Sequence, residues 1–148
     1  LNQGKAFKGN NNVSHSLTFS NYYKWNGIQF SLGWKFRTGI PYTLATGVNT
    51  ENQNPTINYA TQNGETLPDY HRLDFSVLYE FNLSKKDDRF IGKVGASLLN
   101  VYNRNNLLKR SFLLNEVIDE NSNSSFEIRQ IDQFSLGTTP NIIFRLQF

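Results

Sequence analysis

From Ile28 to Leu44 the chain alternates almost throughout, with Ile28, Phe30, Leu32, Trp34, Phe36, Ile40 and Tyr42 on one parity and Gln29, Ser31, Gly33, Lys35, Arg37 and Gly39 on the other. A period of two marks a β-strand with one apolar face. Strands of globular proteins mostly run about 5–6 residues, so this run is too long for an ordinary soluble sheet. The fold must provide an apolar environment along one whole side of a long strand.

The pattern recurs, and we expect about five extended segments. The first, roughly Val13 to Trp25, sets Val13, Leu17, Phe19, Tyr23 and Trp25 against Ser14, Ser16, Thr18, Ser20 and Lys24. After the second (Ile28 to Leu44), the third runs roughly from Asp69 to Leu83, with Leu73, Phe75, Val77, Tyr79, Phe81 and Leu83 facing one way. The fourth, roughly Phe90 to Val117, keeps phase through Val94, Ala96 and Leu98 until Asn100 breaks it, which predicts a bulge. The last, roughly Phe126 to Phe148, is interrupted at Thr138-Thr139-Pro140, where proline cannot donate to a ladder. Asn26-Gly27 fits the shortest hairpin turn, because both residues tolerate positive φ.

Composition agrees with long half-apolar strands. Of 148 residues 14% are aromatic, yet the mean hydropathy is only −0.51, and no apolar run is long enough for a membrane helix. Strands that show only alternate residues to lipid, joined by polar loops, give this combination. The chain has no cysteine, hence no disulfide framework or thiolate metal site. Its net charge of +3 comes from scattered basic residues, so no nucleic-acid partner is expected. Position 1 is a leucine in a polar stretch without a signal peptide, which suggests a mature product or the C-terminal piece of something longer.

The final strand carries Ile142, Phe144, Leu146 and Phe148 on one parity and ends on the aromatic. It resembles the terminal strand of bacterial outer-membrane β-barrels, which the barrel-assembly machinery reads. Leu67 to Val77, LPDYHRLDFSV, resembles the LPxYxRLDLSV segment of TonB-dependent outer-membrane receptors of the Bacteroidetes type, and Gly92 to Asn106, GKVGASLLNVYNRNN, resembles the GxxxSLxNVYNRxN strand that follows it there. The resemblance implies an all-β fold: an antiparallel transmembrane β-barrel segment, about the last five strands of a barrel of about 22. The whole of 1–148 would then be the C-terminal part of the barrel, with the plug domain and earlier strands supplied elsewhere.

The further implications are active import at the outer membrane of a Gram-negative cell, with a siderophore, sugar, peptide or similar solute as ligand. Partners would be the protein's own N-terminal plug and remaining strands, TonB acting through the plug, the barrel-assembly machinery, the lipid bilayer and, as a further candidate, a surface lipoprotein. Long loops, Ala45 to Leu67 and Asp119 to Ser125, would be extracellular, and the short turns at Asn26-Gly27 and Lys85 to Arg89 periplasmic. The fourth and fifth segments exceed a bilayer crossing and would project as a tall hairpin.

Lys35, Arg37, Arg72, Asp74, Glu80 and Arg145 fall on the polar parity as candidates for facing the lumen or the plug, or for a hydrated lattice of ion pairs. Tyr59 and Tyr70 are candidate loop residues for ligand. Tyr22, Tyr23, Trp25, Trp34, Tyr42, Tyr79 and Tyr102 suit membrane-interface girdles. His15 and His71 are far apart without metal-ligand neighbours, and the Asp119 tip does not match a calcium loop. No metal, cofactor or enzymatic activity is expected. Two other readings stand beside import: a structural or assembly component of an outer-membrane complex without energised transport, and a soluble β-sandwich with Phe30/Trp34/Phe36 packed on Phe75/Tyr79/Phe81.

Overall fold

Among the described residues the strands are β1 (Ser16–Trp25), β2 (Ile28–Arg37), β3 (Pro41–Tyr42), β4 (Ala45–Asn49), β5 (Thr56–Tyr59), β6 (Glu65–Thr66), β7 (Tyr70–Asn82), β8 (Ile91–Leu99), β9 (Leu107–Ile118), β10 (Ser124–Phe134) and β11 (Thr139–Gln147). The computed structural model describes residues 4, 6–51, 54–84 and 90–148. The chain is all-β, every pairing is antiparallel, and no closed barrel forms among the described residues. Two units share the chain: one takes Leu1–Ser14, Thr38–Asp69 and Leu107–Ser135, the other His15–Arg37, Tyr70–Asn106 and Leu136–Phe148.

The second unit is a five-stranded meander in the order β1-β2-β7-β8-β11. Its β1–β2 turn is Asn26 and Gly27 with φ of 45° and 80°, as that dipeptide requires. A side chain at Gly27 would also stand 2.8 Å from the Glu80 carbonyl oxygen. Register carries one parity across the whole sheet: Leu17 pairs Phe36, Phe36 pairs His71, Trp34 pairs Leu73, Phe30 pairs Val77, Val77 pairs Ala96 and Ala96 pairs Ile142. The alternation written in each strand thus sums to one apolar face and one polar face. The long connections 38–69 and 107–135 leave and re-enter at the Arg37/Tyr70 and Leu99/Thr139 end of these strands. Asn26-Gly27 and the C-terminus belong to the other end.

The first unit has small two-stranded sheets, β3–β6, β4–β5 and the long hairpin β9–β10. Its Leu67 and Leu107 are the buried hydrophobic side chains among the described residues.

Several sequence expectations need correction. The second segment stops at Arg37, and Pro41–Tyr42 pairs instead with β6. The supposed loop Ala45 to Leu67 holds β4, β5 and β6; strands this short show no readable period. Asn100 is not a bulge: the strand ends at Leu99, Asn100 and Asn103 take φ of 52° and 51°, and a new strand starts at Leu107. The last segment breaks at 135–138 rather than 138–140, and Pro140 lies inside β11, an edge strand where a missing donor is tolerated. The fourth and fifth segments are therefore each two strands, with β9 and β10 paired to one another. Tyr70 is no loop residue but opens β7 opposite Arg37. The turn Lys85 to Arg89 lies outside the described residues.

Candidate functional site

The apolar face of the meander is the feature with the clearest physical demand. Nine strand residues rise about 30 Å and five strands span about 24 Å, giving roughly 700 Å² in plan, beyond the about 300–600 Å² of the largest patch on a typical soluble monomer. Nothing among the described residues covers it: Ile142 is 86% exposed, Phe144 67% and Phe148 91%, and Leu17, Phe19, Tyr23 and Trp25 are all exposed. Phe30, Trp34, Phe36, Phe75, Tyr79 and Phe81 stand side by side on adjacent strands of this same face. They do not oppose each other across two sheets, so the soluble sandwich has no core.

Aromatic residues gather toward both ends of the strands. Trp34 and Phe36 stack at 6.1 Å, and Tyr79 and Phe81 at 5.7 Å. His71 meets Tyr102 edge-on at 5.7 Å. Two of the expected girdle residues are elsewhere: Tyr22 pairs with Ser31 on the polar parity, and Tyr42 lies in β3 of the other unit.

The polar face holds every one of the predicted charged candidates. Lys35 pairs Arg72, Gly33 pairs Asp74, Arg37 pairs Tyr70, Glu80 pairs Lys93 and Lys93 pairs Arg145. Glu80 bridges Lys93 at 2.7 Å and Lys24 at 3.8 Å, and the Arg37 guanidinium lies 5.1 Å from the Tyr70 ring centre. Between these charged ends the face is small and hydroxylated: Ser31 pairs Ser76, which pairs Ser97.

A side-chain knot that sequence reasoning missed ties the segments Leu67 to Val77 and Gly92 to Asn106 together. Asn100 and Asn106 are each 1% exposed. The Asn106 amide accepts from His71 N and donates to His71 O, both at 3.0 Å, and so replaces a strand partner where β8 has ended. Val101 N donates to Leu73 O at 2.8 Å on the same edge. Asp74 Oδ1 accepts from Asn100 N at 3.0 Å, while its Oδ2 takes Arg72 Nε and Nη2 at 3.0 and 2.7 Å. Asn100 Nδ2 donates to the carbonyls of Arg104 and Leu136, and Thr138 Oγ1 to the carbonyl of Asn100, each at 3.0 Å. The buried side-chain amides of Asn100 and Asn106 are therefore paired, as burial of a polar group requires. Asp74 is thus a clamp and not a free charge. The signal was the Asn-rich run itself, since Asn tolerates positive φ and offers both donor and acceptor.

In the other unit, Arg110 and Asp132 form a bidentate pair, Nε to Oδ1 at 2.8 Å and Nη2 to Oδ2 at 2.7 Å. The same guanidinium lies 5.4 Å from the Tyr42 ring centre and donates to its hydroxyl at 3.3 Å. Its hydrogen bonds hold the Asp132 carboxyl below the usual carboxylate range and push Arg110 further up. Asn63, buried with φ of 53°, donates to Lys8 O and Asn10 Oδ1 at 2.6 and 2.8 Å, while its N–H donates to Thr43 Oγ1 at 2.9 Å. Tyr59 is exposed on β5 opposite Ala45. At the β9–β10 tip the Asp119 carboxylate accepts from Asn121 N, Asn123 N and Asn123 Nδ2 within 2.9 Å, which lowers its pKa, chiefly through the Asn123 side chain. Its oxygens close the turn.

No group of three His, Cys, Asp or Glu residues that could hold a metal occurs among the described residues. No family model, curated protein or solved structure matches the chain.

Proposed function

We propose that this chain supplies consecutive C-terminal strands to the wall of a large outer-membrane β-barrel of the TonB-dependent receptor type, and that it serves energised import of a solute. The observation that carries the reading is the five-stranded meander with one continuous, uncovered apolar face and two unpaired edges, β1 and β11. In lipid, an apolar face needs no protein cover, whereas open strand edges must be closed by further strands. Strand lengths of 9 to 13 residues fit a tilted crossing. The polar face would look into the lumen, with Lys35, Arg37, Arg72, Glu80 and Arg145 toward the plug or the water around it and Asp74 held in its clamp. The end carrying 38–69 and 107–135 would be extracellular. Ile142, Phe144, Leu146 and Phe148 would be read by the assembly machinery. The strands act as a wall, and gating belongs to the plug.

Epitopes test the topology and a TonB deletion tests the energetics. An epitope placed between Asn49 and Thr56 should be reachable by antibody on intact cells, and one placed between Leu83 and Phe90 only after the outer membrane is opened. Loss of TonB should reproduce the growth phenotype of losing the gene. Correct topology with a phenotype independent of TonB would favour a structural or assembly component instead. Both epitopes on one side would sink the wall itself.

A further inference from the structure

Every Lys, Arg, Asp and Glu of the five meander strands stands on the polar face. Six are cations, Lys24, Lys35, Arg37, Arg72, Lys93 and Arg145, against the two acids Asp74 and Glu80, a larger excess than the +3 of the entire chain. It is sharpest at the end where Arg37 pairs Tyr70. There Lys35 lies directly opposite Arg72, with Arg37 two residues further along the same face. Like charges directly opposed across two strands destabilise a sheet, so the pair calls for a counter-charge. The acid on that part of the face cannot give it, because Asp74 is closed by Asn100 N and by Arg72 itself.

Two of the three cationic side chains meet at Tyr70, whose ring centre is 5.1 Å from the Arg37 guanidinium and whose hydroxyl is beside Arg72. Arg72 spends Nε and Nη2 on Asp74. Among the described residues Arg37 has that ring as its partner, and Lys35 has no ion-pair or hydrogen-bond partner. Beside the trio is a hollow of about 180 Å³, lined by Ser31, Gly33, Asp74, Ser76 and Ser97 among others. Gly33 and Asp74 are the next pair on this face after Lys35 and Arg72. A glycine inside a strand weakens it and often marks a place where a ligand or another backbone comes close. At Gly95 and Gly92 the sheet itself supplies the reason, since a Cβ would stand 2.5 Å from Val77 O or from the Phe81 ring. At Gly33 a Cβ would meet nothing within 4 Å, so no neighbour among the described residues requires the glycine.

We propose that Lys35, Arg37 and Arg72 bind the phosphate of a small phosphorylated solute, whose neutral, hydroxylated body lies over Gly33 among Ser31, Ser76 and Ser97. A phosphate monoester carries about −1.5 to −2 charge at pH 7, which matches two uncommitted cations better than one carboxylate does. Guanidinium forks also fit phosphate oxygens. The inference rests on the import reading, in which this face looks into the lumen, and deepens it by naming the class of solute.

The test is calorimetry on the intact protein extracted from membranes in detergent, titrated with inorganic phosphate, glucose 6-phosphate and glucose. Both phosphates should bind, and glucose at least about tenfold more weakly. Affinity for the phosphates should fall as salt rises, and fall as the pH drops through about 6, where the second phosphate proton returns. Lys35→Gln and Arg37→Gln should each weaken phosphate binding about tenfold or more, whereas Arg145→Gln, at the other end of the face, should change it less than about twofold. Gly33→Leu should weaken glucose 6-phosphate more than inorganic phosphate, because it fills the hollow and leaves the cations in place. No binding of either phosphate, glucose bound as tightly as its phosphate, or equal losses in Lys35→Gln and Arg145→Gln overturns the site. If an acidic segment of the protein's own chain neutralises the trio instead, neither phosphate binds and Lys35→Gln lowers the temperature of the heat-shift on electrophoresis, which also overturns it. That heat-shift reports the barrel separately: a heat-modifiable protein that binds neither phosphate loses this site and keeps the wall.

Discussion

The two units solve the burial problem in opposite ways. The loop-built unit, with strands as short as Pro41–Tyr42, buries Leu67 and Leu107 and is laced by side-chain hydrogen bonds through Asn63, Arg110 and Asp132. The meander instead spreads one continuous apolar face over five strands of 9 to 13 residues and leaves it exposed. In water that would be the weaker design, since hydrophobic burial is the main favourable term in folding. The difference is intelligible if the meander's solvent on one side is lipid and the loop unit's solvent is water.

Charge placed on the meander should break this contrast most sharply. Val77→Lys puts an ammonium on the apolar face and should cost about 2–4 kcal/mol in lipid vesicles, as charges near a bilayer midplane do, whereas Ser76→Lys, one residue away on the polar face, should cost less than about 0.5 kcal/mol. Denaturant titrations of both variants in vesicles give the two numbers, and equal costs would erase the distinction between faces. Next in size is Asn106→Leu, which strips both surrogate ladder bonds from His71 and should cost about 1–3 kcal/mol for each orphaned group. Amide exchange at His71 should accelerate in that variant while exchange at Phe30 in β2 stays slow.

In the loop unit, Gly39→Ala would bring a methyl to 1.6 Å from the Leu67 carbonyl oxygen, so backbone must move and about 1–3 kcal/mol is lost. Protease nicking within 38–69 should rise while the meander stays intact. Smallest is the acid response. Asp132 has a lowered pKa, so its pair with Arg110 contributes fully above the ordinary aspartate value of about 3.9 and fades as pH falls through the lower native value. Cleavage of the β9–β10 hairpin in an acid series should increase there in the wild type, and Asp132→Asn should flatten that response. Deleting Phe148 belongs to a different axis: it should lower the amount of assembled protein without altering what assembled protein binds.

Long alternation made the meander legible. Each of its five strands lies within a segment that the period marks, and the parity of Lys35, Arg37, Arg72, Asp74, Glu80 and Arg145 follows from the same counting. The 38–69 stretch was opaque because strands of two to five residues carry no period, and its order comes from single side chains such as Asn63. The Asn100 break was visible as a phase error, but a bulge and a full stop look alike until Asn106 is seen filling the vacated edge of β7. Tyr70 was misplaced for a related reason, being the one residue at which loop and strand meet.

Most directly, the intact mass and N-terminal sequence of the protein extracted from membranes, run with and without heating, test whether this sheet belongs to a larger barrel. The account predicts a heat-modifiable species several times the 17.1 kDa of this chain, with further sequence ahead of Leu1. A stable 17.1 kDa monomer that needs no detergent would contradict it.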